Sequence, residues 1–85
     1  MEIIRTADFE RAFRAIPKEI KRLYLIQEDR FGENWRDPRL HIKKIKSLPH
    51  ASSFRVTRNY RVFFYFQDAD KAIFFDVDDR KDAYR

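Results

Sequence analysis

Residues 53–67, SFRVTRNYRVFFYFQ, carry the clearest structural pattern in the chain. Residues 53–57 (SFRVT) alternate, with Arg55 on one side and Phe54 and Val56 on the other. Asn59 suits a tight turn, and residues 60–67 (YRVFFYFQ) form a run rich in aromatic and β-branched residues. This is the pattern of two antiparallel strands. Strict alternation puts Tyr60, Val62, Phe64 and Phe66 on one face and Arg61, Phe63, Tyr65 and Gln67 on the other. Arg55 then becomes a near neighbour of Arg61 across the sheet, within a residue or two of register. After a turn at 68–71, residues 72–77 (AIFFDV) give a third strand, with Asp76 on the face opposite Phe75 and Val77.

Working outward, residues 2–5 (EIIR) read as a short strand. Thr6 or Asp8 can cap a first helix bearing Phe9, Phe13 and Ile16 on one side. Pro17 fits the first turn of a second helix, in which Ile20, Leu23, Tyr24 and Gln27 follow helical spacing. Gly32, the only glycine, is expected to end that helix in a left-handed cap. Asp37–Pro38 marks a loop over 33–39, and Leu40, Ile42, Ile45 and Leu48 punctuate a basic run after it. The expected fold is α+β: a small antiparallel sheet, made of an N-terminal strand and a C-terminal three-strand meander, with a two-helix hairpin packed on one face. The 85 residues read as a single domain, 1–85. One sheet face buries aromatics under the helices. The other offers arginines, with Phe63 and Tyr65 among them.

Composition narrows the chemistry. Nine Phe, four Tyr and one Trp let a short chain build a core. There is no cysteine, hence no disulfide and no thiolate metal site. His41 and His50 lie apart on a loop, so no metal site and no cofactor is expected. A single glycine excludes a glycine-rich phosphate loop. No apolar run is long enough for a membrane span, and the opening MEIIRTADFERAF does not read as a secretory signal, so a cytoplasmic location is expected.

Charge is more telling than its net value of +5. From Pro38 to Gln67 there is no Asp or Glu, while Arg39, Lys43, Lys44, Lys46, Arg55, Arg58 and Arg61 fall within that stretch. A patch of one sign favours a polyanionic partner. Arginine forks meet phosphate oxygens bidentately and stay charged at any working pH. A set of arginines with a nearby tyrosine therefore suits RNA cleavage without a metal. Such cleavage requires activation of a 2′-hydroxyl, stabilisation of a five-coordinate phosphorane and protonation of the leaving 5′-oxygen.

The pieces DPRL…KKIKSLP, SFRVTRNYRVFFYF and AIFFDVDDRKDAY, in that order after a strand and a helical hairpin, resemble the RelE/ParE toxin superfamily of bacterial toxin–antitoxin systems. The most specific parts are FRV…NYRVFFYF and the closing VDDRKDAY, and the likeness spans nearly the whole chain. The resemblance implies a ribosome-dependent mRNA endonuclease held inactive by an antitoxin, with ribosome and mRNA as partners. It implies catalytic roles for Arg61 and Arg55 at the scissile phosphate and for Arg80 in transition-state stabilisation. Tyr84 would stack on the substrate base or share in proton transfer. Lys43, Lys44 and Lys46, with Arg58, would bind nucleic acid. Where many relatives carry His before the arginine, this chain has Asp79, a possible general base. Two other readings follow from the same resemblance: a ParE-like inhibitor of DNA gyrase, and a catalytically degenerate scaffold that retains only antitoxin binding.

Overall fold

The structure is a computed structural model and describes residues 1–79. Its elements are β1 (Glu2–Arg5), α1 (Ala7–Arg14), α2 (Lys18–Glu33), a 3-10 turn (Pro38–Leu40), β2 (Lys43–Ile45), β3 (Leu48–Arg55), β4 (Arg61–Asp68) and β5 (Lys71–Asp78). The strands form one five-stranded sheet in the order β1-β5-β4-β3-β2. The α+β class and the hairpin on one sheet face are as expected. The sheet itself is mixed: β3, β4 and β5 make the antiparallel meander, whereas β1 lies parallel to β5.

Local chemistry accounts for the elements. Thr6 caps α1, its hydroxyl oxygen accepting from the Phe9 N–H at 3.1 Å. Pro17 is the extended residue preceding α2. Gly32, however, does not end that helix. It lies within α2, no glycine has a positive φ, and the extended Asn34 terminates the helix. The one left-handed residue among those described is His41, with φ at 49°.

Two further differences come from strand pairing. A strand not expected, β2, pairs with β3, with a register shift between Lys44 and Ile45. And β3 begins at Leu48 rather than Ser53. Its ladder with β4 starts only at Ala51, so Pro49 stands outside that ladder and its missing N–H is not needed there.

Rings fill the space between helices and sheet. Phe9, Tyr24, Phe31, Phe54, Phe64 and Phe74 are almost fully buried together. The Phe31 ring meets those of Phe64 and Phe74 edge-on, at 4.9 and 5.1 Å between centroids. At the rim of this core the Tyr24 hydroxyl accepts from Arg5 Nε at 3.2 Å, and Arg5 pairs with Glu28. Burial pushes the Tyr24 hydroxyl above its usual pKa, while the hydrogen bond to Glu28 holds the Arg5 guanidinium up.

The opposite sheet face is not simply polar. Ile45, Ala51 and Phe63 form a second buried cluster, with Phe75 packed against it. Phe75 joins this side because the β4–β5 register shifts between Phe63 and Phe64: Phe63 pairs with Asp76, and Phe64 already pairs with Phe74. The bulge overturns the simple alternation that set Asp76 and Phe75 on opposite faces.

Candidate nucleic-acid interface

Arg55 and Arg61 are direct partners in the β3–β4 ladder, and Asp78 stands opposite Arg61 on β5. One row of the sheet thus reads Arg55, Arg61, Asp78. Two like charges directly across a ladder repel, so this arrangement needs support from its surroundings.

The support is visible for Arg61. Its Nε donates to Ser53 Oγ at 2.8 Å, and its Nη2 donates to the His41 carbonyl at 2.6 Å and the Ser53 carbonyl at 3.3 Å. Burial, and then the charge of Arg55, push the Arg61 pKa below the ordinary guanidinium value. The His41 carbonyl is aimed by a short chain of local devices. Asp37 caps the turn Pro38–Leu40 by accepting from the Arg39 N–H at 2.9 Å, and His41 then reverses the chain in its left-handed conformation. The Arg39 side chain, followed by its backbone N–H, holds the Asp37 carboxyl down at about 2.

Arg55 is steadied through its backbone. Gln27 of α2 is only 6% exposed, and its side-chain amide donates to the carbonyls of Arg55 at 2.7 Å and Arg39 at 3.1 Å. Arg30 in turn donates to Gln27 Oε1 at 2.8 Å. The Arg55 Nε is buried and has no hydrogen-bond partner among the described residues. A buried charged donor left open costs free energy unless an acceptor arrives. Arg55 also lines a cavity of about 310 Å³, together with Leu23, Ile26, Arg30, Arg39 and His41 among others.

The other residues expected at the site are spread around this row. Lys43 is in register with Ser53 and therefore on the arginine face. Lys44 pairs with Ser52, the partner of Phe64, which puts it on the helix side. Lys46 lies in the turn between β2 and β3, and Arg58 in the loop between β3 and β4; both are exposed. Asp79 directly follows β5 and is exposed. Arg80 and Tyr84 lie outside the described residues. Among the described residues no three His, Asp or Glu side chains are grouped to hold a metal ion. No described helix is long and apolar enough to cross a membrane.

Three participants carry little sequence signal. Gln27 sits in the apolar helical stripe, Ser53 reads only as the first residue of a strand, and the His41 carbonyl has no sequence signal. Only the Gln27 amide in an otherwise apolar stripe hinted at a buried polar role.

A helical hairpin packed behind a sheet whose other face carries Arg55 and a tethered Arg61 defines a small α+β domain. No protein-family model and no curated protein sequence matches the chain. Solved structures do. A chain in the RelB–RelE antitoxin–toxin complex from Methanococcus jannaschii is 30% identical, with 95% of this chain and 94% of that one covered and a TM-score of 0.72. The protein belongs to the RelE-like toxin superfamily. More distant structures share the fold. A YoeB/ParE toxin from Agrobacterium tumefaciens is 8% identical at a TM-score of 0.77, over 94% of this chain and 99% of that one. A chain in the intact RelBE toxin–antitoxin complex of E. coli is 12% identical at 0.72, over 94% and 96%.

Proposed function

We propose that this protein is the toxin of a toxin–antitoxin pair and cleaves ribosome-bound mRNA. The observation that carries this reading is the arginine pair: Arg61 held by three hydrogen bonds, directly across the ladder from Arg55. A phosphate group is the ligand that two such guanidinium groups suit. The mRNA 2′-hydroxyl loses its proton to a base and attacks the adjacent phosphorus. The bond from phosphorus to the 5′-oxygen then breaks, and that oxygen leaves with a proton. The products are a 2′,3′-cyclic phosphate and a 5′-hydroxyl. Arg55 and Arg61 neutralise the phosphorane charge, and Arg80 adds to this. Asp79, one residue beyond the Asp78 that faces Arg61, is the candidate base, and Tyr84 stacks on the substrate base or transfers a proton. Lys43, Lys46 and Arg58 hold the neighbouring RNA backbone, and Lys44, on the helix side of the edge strand, meets nucleic acid beyond that face.

The partner that silences this site is an antitoxin. The exposed Leu23 and Ile26 of α2 border the same cavity as Arg30, Arg39 and Arg55. An amphipathic, acidic segment fits that mixture of apolar and cationic groups.

Induced expression of the wild type, Arg61→Ala and Arg80→Ala, with growth and reporter mRNA ends mapped together, tests the reading. It predicts arrest and codon-phased cuts in the wild type only. Arrest with intact mRNA would direct the search to gyrase, and no arrest would leave an antitoxin-binding scaffold.

A further inference from the structure

The open sheet face carries a second feature beyond the arginine row. A groove of about 270 Å³ runs over Leu48, Pro49, His50, Ala51, Tyr65 and Phe75, and its lining atoms are almost all carbon. Tyr65 is 39% exposed, a large area for an aromatic ring on a sheet with its own small core. The Tyr65 ring leans on Phe75, with centroids 5.9 Å apart and planes at 42°. His50 is exposed at the groove's rim.

The groove and the arginines share a face. The β3–β4 register runs unbroken from Ala51 opposite Tyr65 to Arg55 opposite Arg61. Alternation therefore sets Arg61, Phe63 and Tyr65 on one side, with Arg55, Ser53 and Ala51 beside them. Four residues of strand separate the rows, roughly 13 Å at the usual rise. Lys43, exposed and in register with Ser53, stands between them at the flanking strand.

An apolar slot with a half-exposed ring, at the end of a cationic track, matches how single-stranded RNA is held. The backbone follows the charges and a base stacks on an aromatic ring. An apolar helix of a partner protein would have no use for the track of Lys43, Arg55 and Arg61 leading into the slot. We propose that the groove at Tyr65 takes an unpaired base of the RNA strand, from a nucleotide neighbouring the one whose phosphate lies at Arg55 and Arg61. The polar side-chain groups at the slot are the His50 ring and the Tyr65 hydroxyl. It therefore recognises the face of a base more than its edge, tolerates all four bases, and favours the larger purines.

This inference rests on the proposed ribonuclease reading, and the experiment separates the two. The purified protein is mixed with ribosomes programmed with a defined codon, and single-turnover cleavage is timed. The RNAs are intact or abasic at one nucleotide flanking the cut. Tyr65→Ala slows cleavage of intact RNA about tenfold, and Tyr65→Phe stays near the wild type. At one flanking position, removing the base slows the wild type by a similar factor and does not slow Tyr65→Ala further. A Tyr65→Ala variant as fast as the wild type, or abasic penalties equal in both proteins, overturns the proposal while leaving the ribonuclease reading intact. So does a Tyr65→Ala variant that cleaves normally but binds the antitoxin more weakly, which assigns the groove to protein. A wild type that cuts none of these RNAs overturns both.

Discussion

Arg61 and Ser53 meet twice across the β3–β4 ladder, side chain to hydroxyl at 2.8 Å and side chain to carbonyl at 3.3 Å. The contact is diagonal, since Ser53 is in register with Phe63 and Arg61 with Arg55. It draws the Arg61 guanidinium toward β3 and the His41 carbonyl, and it fixes the fork before any ligand arrives. Such preorganisation is what stabilises developing charge without reorganisation cost. Arg61→Ala should lower cleavage about a hundredfold or more while the protein still melts cooperatively as a folded domain. Arg61→Lys should resemble Ala, because a lysine cannot reproduce the fork. Ser53→Ala should fall between, at about a tenfold loss. A fully active Arg61→Lys would show that charge alone suffices.

Gln27 ties α2 to the loop before β2 and to the end of β3. Gln27→Leu keeps the volume but leaves the Arg39 and Arg55 carbonyls without their donor. The expected cost is about 1–3 kcal/mol, a sizeable part of a small domain's stability. Urea unfolding with an unchanged slope measures it. Cleavage should fall as well, because the Arg55 backbone loses its anchor. A variant as stable as the wild type would mean that water replaces the amide at no cost.

Gly32 lies inside α2, and among the described residues a β-carbon there would meet only the Ile3 Cδ1, at 3.8 Å. That is ordinary contact. Gly32→Ala should therefore stabilise the protein by roughly 0.5–1 kcal/mol through the helix backbone. A rise of about 4 °C in melting temperature is expected. A fall would indicate crowding against β1.

Asp37 gives a pH signature. Its carboxyl is lowered from 3.8 to about 2 by Arg39. A depressed folded-state pKa means that its contribution is fully present above the unfolded value and is lost as pH falls through the folded one. Stability should thus drop between about pH 4 and pH 2, and Asp37→Asn should show a flatter profile there, since the amide oxygen can still cap the turn. Identical profiles for the two proteins would mean that the ion pair contributes nothing to folding.

Much of this was legible in the chain. Alternation in YRVFFYFQ marked β4, and the same alternation brought Arg55 to Arg61 within the error of register. Thr6 and Pro17 marked the helix starts because capping is a local matter. What failed depended on partners distant in sequence. Lys43 and Lys44 gave β2 no apolar alternation, and Pro49 hid the first half of β3. The β4–β5 bulge that turns Phe75 over is written only in the pairing. Gly32 read as a stop because its freedom was visible and its helical neighbours' pull was not. Gln27, Ser53 and the His41 carbonyl act through hydrogen bonds that exist only once the helix, the turn and the sheet are assembled.

If the Arg55–Arg61 face binds a phosphate under attack by the neighbouring 2′-hydroxyl, cleavage depends on that hydroxyl. Purified protein should be given programmed ribosomes carrying either an all-ribose codon or the same codon with one 2′-deoxy sugar at the cut position. The ribose codon should be cut to a 2′,3′-cyclic phosphate and a 5′-hydroxyl, the deoxy codon should stay intact, and Arg61→Ala should cut neither appreciably. Equal cutting of both codons, or cutting that Arg61→Ala leaves undiminished, would contradict it.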